Sequence, residues 1–234
     1  MKPPQRPKRR HMLPLNYIKV TVTLDDPPEE PKAPEPPAEE VDVVLFCDTE
    51  TTGFRKGSHI CEIALVRARY HKLEKLDEEE IGLLVCPPCP IPEEASAVNN
   101  ITDEMVENEP AARELWGQLY PFVKDVKFFV AHNASFDIRM VKEDFQGVFF
   151  MPQDGNKFVV PIIVDTLKVA KKLWPAFPNH KLETVSEALE LYKGLGGEAH
   201  RALYDTKICQ CLAEKAMAKE GSFRNLARRF GKSA

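Results

Sequence analysis

The chain has 234 residues, of which 43% are hydrophobic and 29% charged, a composition that suits a soluble protein with one sizeable core. No stretch approaches the ~18 apolar residues of a membrane helix, and prolines follow the basic N-terminus where a signal peptide has its apolar segment. We therefore expect no membrane partner and a cytoplasmic location. The six cysteines are unevenly spaced, which predicts free thiols rather than a disulfide framework.

Charge and proline content divide the chain into three parts. Residues 1–40 hold half of the 20 prolines and keep basic and acidic residues apart, which predicts a disordered arm. Within this arm, Tyr17–Leu24 alternates like a short strand that could add to a sheet edge or to a partner. Residues 41–220 are net acidic and form the predicted domain, whereas residues 221–234 contain no acid and are predicted to be a basic tail.

Hydrophobic patterns predict a meander of strands and then alternating helices and strands. The first three strands are Val41–Cys47, Ile60–Arg69 and Ile81–Cys86, with a charged turn, HKLEKLDEEE, between the second and the third. Two helices, a strand and a helix follow at Thr102–Glu107, Ala111–Val123, Lys127–His132 and Phe136–Phe145. The last elements are a strand pair in Val148–Val164 around an Asp154-Gly155 turn and helices at Asp165–Trp174, Leu182–Leu191 and Arg201–Lys219. This order predicts an α/β fold in which helices cover both faces of a mixed five-stranded sheet.

Four acidic residues occupy positions that packing alone would not give them. Asp48 and Glu50 are two apart at the end of the first strand, so both side chains point to one face of the sheet. Asp137 and Asp205 lie near the starts of two helices and share their helix faces with apolar residues. Because an ionised carboxylate is costly to bury alone, we expect divalent cations among them, and oxygen ligands favour Mg²⁺ or Mn²⁺. The alternative is that the two helical acids only satisfy backbone donors at helix N-termini.

His200 lies five residues before Asp205, which on one continuous helix would place the two side chains ~140° apart. The segment GLGGEA before it contains three glycines, so we expect His200 on a mobile loop that can reach the metal site. Histidine titrates near neutral pH, which suits a general base. A solvent-exposed imidazole without a catalytic role is the alternative.

Three segments carry a resemblance to a known family: FCDTETTG at Phe46–Gly53, VAHNASFDIRM at Val130–Met140 and HRALYDT at His200–Thr206. In order and spacing they resemble the three motifs of the DEDDh exonuclease superfamily, which includes the epsilon-type proofreading subunits of bacterial DNA polymerase III and the RNase T-like nucleases. The resemblance covers residues 41–215. It implies an RNase H-like fold and the metal-dependent removal of nucleotides from a 3′ end.

The resemblance also implies two Mg²⁺ or Mn²⁺ ions and a general base, His200, that deprotonates the attacking water. The residues that would hold the two ions are Asp48, Glu50, Asp137 and Asp205. The residues that would contact the substrate are Thr51, Thr52, Gly53, Phe54, His132 and Asn133. Phe54 could stack on a base, whereas Asn133 could instead cap the following helix. Four lysines could guide phosphates or form a solvated helix face: Lys168, Lys171, Lys172 and Lys181.

Three hypotheses for the function follow. The first is a two-metal-ion 3′-to-5′ exonuclease that releases nucleoside monophosphates from DNA in proofreading or repair, with single-stranded DNA or frayed 3′ ends as its partners. The second is the same chemistry on RNA, because nothing in the motifs distinguishes the sugars. The third is an interaction module, in which residues 1–40 dock a polymerase or scaffold and the nuclease fold is delivered to it.

Overall fold

A computed structural model describes Tyr17–Ile18 and residues 35–147, 161–196 and 199–233. Its sheet has the strand order β1-β4-β3-β2-β5-β6-β7. The strands are β1 (Tyr17–Ile18), β2 (Val41–Thr51), β3 (Ile60–His71), β4 (Glu74–Leu84), β5 (Phe128–Ala131), β6 (Ile162–Asp165) and β7 (Lys232–Ser233). The central five strands form the predicted mixed sheet, and a two-residue strand extends it at each edge.

Eight α-helices lie in the described residues. They are α1 (Glu93–Asn99), α2 (Asp103–Val106), α3 (Trp116–Val123), α4 (Ser135–Asp144), α5 (Thr166–Leu173), α6 (Leu182–Leu189), α7 (Ala202–Glu220) and α8 (Phe223–Phe230). A 3-10 turn, Ala112–Leu115, leads into α3. The sequence predicted six of the eight and missed α1 and α8.

The sheet is mixed because its two halves are connected differently. Strands β2, β3 and β4 pair antiparallel, which confirms the predicted meander. Strand β5 pairs parallel with β2, and β6 pairs parallel with β5, each after a helical crossover. Strand β2 is therefore central, with its carboxyl end beside the carboxyl ends of β5 and β6.

The alternation of side chains along β2 serves two separate cores. Leu45 and Cys47 point into one core, which α3 and α4 cover. Val44 and Phe46 point into the other, which α5, α7 and α8 cover. The face to which a residue at the end of β2 points therefore decides which helices it meets.

The charged segment between the second and third strands is not the predicted long turn. The turn is confined to Lys72 and Leu73, and β4 begins at Glu74. Opposite charges lie across the β3–β4 ladder, where Arg67 pairs with Glu79 and Arg69 with Asp77 in register. A strand near the sheet edge can expose such charges to water, and the apolar pattern therefore reveals only its buried end.

Residues 221–233, which were predicted to be part of a basic tail, contain helix α8 and strand β7. Helix α8 begins at the N-cap Ser222, whose hydroxyl accepts a hydrogen bond from the backbone N–H of Asn225. Its first residue, Phe223, is fully buried against the rings of Phe46 and Tyr70. The apolar positions of α8 recur at helical spacing, but the intervening arginines obscured this pattern in the sequence.

Some expectations fall on parts of the chain outside the described residues. The strand pair around Asp154-Gly155 lies there, except for its end, which forms β6. Most of the 1–40 arm lies there too, but Tyr17 and Ile18 pair antiparallel with β4, which agrees for these two residues with the sheet-edge alternative for Tyr17–Leu24. All six cysteines are free thiols. In the described parts of the chain, no helix combines the length and apolarity of a bilayer span.

Candidate active site

Three carboxylates converge at the carboxyl end of β2. Asp48 and Glu50 point to the same sheet face as Val44 and Phe46, because side chains two apart on a strand share a face. Helix α7 packs on this face and presents Asp205 to them. One carboxylate oxygen from each of the three acids lies within 4.8 Å of the others.

The fourth acid, Asp137, approaches from the opposite sheet face. It lies in the first turn of α4, which packs on the core of Leu45 and Cys47, and it is only 2% exposed. Thr49 points to that face and donates a hydrogen bond of 2.9 Å from its hydroxyl to Asp137 Oδ1. The structure therefore brings three of the four acids into one group and places Asp137 beside it, across the end of the strand.

Burial raises the pKa of all four carboxyl groups, and repulsion from neighbouring acids adds to the rise. Burial, followed by repulsion from Asp137 and Asp205, raises the pKa of Asp48 well above its ordinary value. Burial, followed by repulsion from Asp205, raises the pKa of Glu50 from 4.5 to about 8. Burial raises the pKa of Asp137 to about 7, although the Thr49 hydrogen bond opposes the rise. Burial also raises the pKa of Asp205 to about 6, against the opposing charge of His200. The cluster is therefore short of positive charge.

The donor set suits a hard divalent cation. The grouped ligand atoms are all carboxylate oxygens, which Mg²⁺ and Mn²⁺ prefer and which Zn²⁺ sites usually supplement with nitrogen or sulfur. A bound cation would relieve both the burial of the carboxylates and their repulsion. The residues present therefore fit the metal chemistry that the sequence predicted.

His200 stands on the turn that leads into α7. Helix α7 begins at Ala202, so His200 and Asp205 are not on one continuous helix. The backbone of His200 is left-handed, with φ 60°, and its N–H donates to Asp205 Oδ2 at 3.2 Å. The exposed imidazole lines the same cavity as the carboxylates.

The acids open into a cavity of about 820 Å³. Three exposed apolar side chains stand around it: Phe54, which is 80% exposed, Val98 and Tyr192. The Phe54 ring rests on Phe136 with 5.7 Å between ring centroids. Tyr192 was not predicted from the sequence, because it follows α6 and belongs to no periodic pattern.

The loop after β2 uses its polar groups internally. The Thr51 hydroxyl donates to the carbonyl of Gly53 at 2.8 Å, and the Thr52 hydroxyl accepts from the backbone N–H of His59 at 3.0 Å. Gly53 has φ 150°, and a Cβ there would lie 3.1 Å from Ser58 Oγ. These three predicted substrate contacts are not among the cavity-lining residues, whereas Phe54 is.

His132 and Asn133 both line the cavity but differ in exposure. His132 Nδ1 lies 3.0 Å from Thr166 Oγ1, and its Nε2 donates to the carbonyl of His180 at 2.9 Å. Burial lowers the pKa of His132, which suits a neutral ring held between two elements. Asn133 is exposed, and its predicted capping role is wrong because α4 has Ala134 at its N-cap and no side-chain cap.

The four predicted lysines are divided between the cavity and the outer surface. Lys181, the N-cap residue of α6, lines the cavity. Lys168 pairs with Asp165 at 3.1 Å, and Lys171 and Lys172 are exposed on α5 away from the cavity lining. Only Lys181 is therefore placed to contact a ligand in this cavity.

Comparison with known proteins identifies the family. A family model described as Exonuclease (RNase_T) matches residues 45–211, which include every acid of the cluster and His200. The chain belongs to this exonuclease family. Its relatives are DEDDh-type 3′-to-5′ exonucleases, which confirms the resemblance carried by the three motifs.

Two relatives match most of the domain. Exodeoxyribonuclease 10 of Escherichia coli K12 is 31% identical over 180 residues, which are 76% of this chain and 70% of that protein. The DNA polymerase III subunit epsilon of Treponema pallidum is 30% identical over 168 residues, 69% of this chain and 70% of that protein. The chain spans only 12% of a longer relative, the PolC-type DNA polymerase III of Halalkalibacterium halodurans, at 28% identity over 78% of this chain.

A solved structure with the same fold is that of exonuclease X in complex with 5′ overhanging duplex DNA. It has a TM-score of 0.59 and 27% sequence identity, and the match covers 79% of this chain and 98% of that one. This neighbour confirms the expected RNase H-like arrangement of a mixed sheet and helices.

Proposed function

We propose that this chain removes nucleoside monophosphates from the 3′ ends of DNA by two-metal-ion hydrolysis, in proofreading or repair. The observation that carries the proposal is the convergence of Asp48, Glu50 and Asp205 within 4.8 Å at a cavity that Asp137 and His200 also line. Acids so close together destabilise the folded protein unless bound cations neutralise them, which indicates a function that requires cations.

The four acids are the proposed ligands of two Mg²⁺ or Mn²⁺ ions. Asp48, Glu50 and Asp205 surround one point, and Asp137 faces the same cavity from the other side of the strand. Two bound cations would stabilise the charge on the attacking and leaving oxygens of an in-line phosphoryl displacement.

His200 is the proposed general base. Its imidazole is exposed at the cavity, so it can take a proton from the attacking water and pass it to solvent. Its backbone N–H holds Asp205 Oδ2, which ties the base to a ligand carboxylate. Because its backbone is on a turn before α7, small changes of that turn can bring the ring toward or away from the scissile bond.

The terminal nucleotide is proposed to lie between the loop after β2 and the wall formed by α6. Phe54 offers an exposed ring for base stacking, and its own carbonyl accepts a hydrogen bond of 3.2 Å from Arg139, which fixes the loop. Asn133 is exposed beside the acids and can contact the sugar or phosphate. Thr51, Thr52 and Gly53 shape the loop through their internal hydrogen bonds, and His132 holds the wall behind it.

DNA is the proposed substrate because the names of the relatives refer to DNA. Exodeoxyribonuclease 10 and the polymerase III epsilon subunit act in DNA metabolism by name, and the exonuclease X structure contains DNA. Single-stranded or frayed 3′ ends suit a cavity of about 820 Å³ that admits one strand end. A polymerase or scaffold that binds residues 1–40 remains a prediction, and capture of a purified polymerase by the full chain but not by a chain lacking those residues would support it.

The function can be tested with 5′-labelled single-stranded DNA and RNA of one sequence, in Mg²⁺ or with a chelator. We expect a ladder of products shortened from the 3′ end of DNA in Mg²⁺, and none with the chelator. Asp48→Asn abolishes the ladder, whereas Asp77→Asn, the same change on the exposed part of β4, leaves it intact. Faster digestion of RNA than of DNA would show that RNA is the substrate. Digestion of DNA by Asp48→Asn would refute the assigned site.

A further inference from the structure

A fifth acid, Glu62, lies in β3 next to the metal-ligand group. It is 5% exposed and stands between the fully buried Cys61 and Ile63. In the antiparallel register it is directly opposite Glu50, so the two side chains share a sheet face. A buried carboxylate beside other acids needs a partner that is always charged.

Arg201 is that partner, and it makes a bidentate contact with the Glu62 carboxylate. Its Nη2 donates to Glu62 Oε1 at 2.6 Å, and its Nε lies 3.1 Å from Oε2 and 3.2 Å from Oε1. The planar guanidinium fork matches a carboxylate in this way, whereas an ammonium group cannot. Glu62 Oε2 also accepts the backbone N–H of Ala202 at 2.9 Å. Since α7 has no side-chain cap from its own N-cap residue, the Glu62 carboxylate takes the place of that cap.

This contact fixes the segment that carries two functional groups. His200 immediately precedes Arg201, and Asp205 follows Ala202 within the first turn of α7. Both therefore stand next to residues that Glu62 holds, one through the Arg201 side chain and the other through the Ala202 N–H.

We propose that Glu62 and Arg201 are a positioning pair, which sets the places of His200 and Asp205 relative to Asp48 and Glu50 and keeps the acid group assembled before cations enter. The proposal rests on the proposed function. Arg201 acts through Glu62 and the start of α7 and does not hold the substrate, although it lies in the motif HRALYDT.

The chain contains a matched control pair at the other end of β2. Arg224 Nη2 donates to Asp42 Oδ1 at 2.7 Å, and its Nε lies 3.2 Å from the same oxygen. Asp42 is 3% exposed, so the burial of its carboxylate resembles that of Glu62. Glu50 lies eight positions after Asp42 along the strand, which is about 26 Å at the usual rise. Changes to this pair should therefore affect stability without affecting the site.

The test uses the full chain with Arg201→Gln, Arg201→Lys, Arg224→Gln and Arg224→Lys. Three quantities are measured for each variant: the Mn²⁺ affinity by calorimetry, kcat and KM on single-stranded DNA, and the unfolding temperature. For Arg201→Gln we expect at least a roughly tenfold loss of Mn²⁺ affinity and of kcat, with KM within about threefold of the wild type. For Arg201→Lys we expect a smaller loss of both, because lysine restores the charge but not the fork. The Arg224 variants lower the unfolding temperature and leave Mn²⁺ affinity and kcat unchanged.

Three outcomes would overturn the positioning role. The first is a wild-type Mn²⁺ affinity and kcat in folded Arg201→Gln, and the second is a raised KM with unchanged kcat, which would make Arg201 a substrate contact. The third applies if Arg201→Gln does not fold: wild-type values in Arg201→Lys would then show that the fork has no effect. If the wild-type chain digests no DNA, the proposed function fails, while the Mn²⁺ measurements still decide whether the pair organises the acid group.

Discussion

Replacing Glu50 by glutamine measures how strongly the acid group opposes folding when no cation is bound. Burial and the nearby Asp205 raise the pKa of Glu50 from 4.5 to about 8. The native state therefore binds this proton more tightly than the unfolded chain does. As the pH rises from about 4.5 to about 8, the unfolded state gains from ionisation and the metal-free protein loses stability.

The expected size of the effect follows from the shift. A rise from 4.5 to about 8 corresponds to an upper bound of about 4 kcal/mol at pH 8. Because Glu50 is only partly buried, water screens its charge, and we expect Glu50→Gln to raise the free energy of unfolding by roughly 2 kcal/mol at pH 8. At pH 5 the gain falls below about 0.5 kcal/mol.

Urea unfolding in the presence of a chelator, at both pH values, gives these differences. The matched control is Glu79→Gln, the same chemical change at an exposed position of β4, for which we expect no gain at either pH. Added Mn²⁺ should reverse the order at pH 8, since the native wild-type protein offers one more ligand. A metal-free Glu50→Gln protein that is less stable than the wild type at pH 8, or whose stability difference does not change with pH, would refute the raised pKa of Glu50.

Three further changes test other parts of the structure. Thr49→Val removes the hydroxyl that donates to Asp137, and we expect a loss of about 1 to 2 kcal/mol in urea unfolding together with weaker Mn²⁺ binding in calorimetry, whereas an unchanged Mn²⁺ affinity would count against this contact. Phe54→Ala leaves stability within about 0.5 kcal/mol because the ring is 80% exposed, but it raises KM for single-stranded DNA, and an unchanged KM would exclude stacking. Phe223→Ala costs about 3 to 5 kcal/mol in the same unfolding assay, and a loss below about 1 kcal/mol would show that α8 is not part of the folded domain.

Local periodicity predicted the sheet well where both faces are buried. The apolar run Val41–Cys47 is central, and the two-residue spacing of Asp48 and Glu50 placed both on one face, as in the structure. The apolar pattern did not predict the exposed part of β4. The charged residues 74–80 are a strand because their backbone pairs with β3. Pairing across strands is a tertiary effect that a single segment does not reveal.

The site was harder to predict than the strands because its members come from both faces of the sheet. The sequence grouped four acids but did not show that Asp137 lies on the other face of the sheet. Thr49 alternates to that face of β2, which α4 covers, and there it donates to Asp137. Glu62 had a readable signal, since it is an acid within the apolar run ICEIALV, yet its partner is 139 residues away in sequence. The predicted substrate contacts at Thr51 and Thr52 show the same limit, because the sequence does not reveal that both hydroxyls form hydrogen bonds with backbone groups of the same loop.

Under the proposed mechanism, an inert form of the protein for trapping a complex with its substrate is best made at His200. Replacing one of the acids by a neutral residue changes the stability of the protein as well as its chemistry. A complex formed by such a variant can therefore differ from the wild-type complex in structure. His200 lies on an exposed turn with φ 60°, a conformation that asparagine adopts with less strain than alanine. His200→Asn would thus keep the turn and every acid, and a strand captured by it would be held as the unaltered protein holds it.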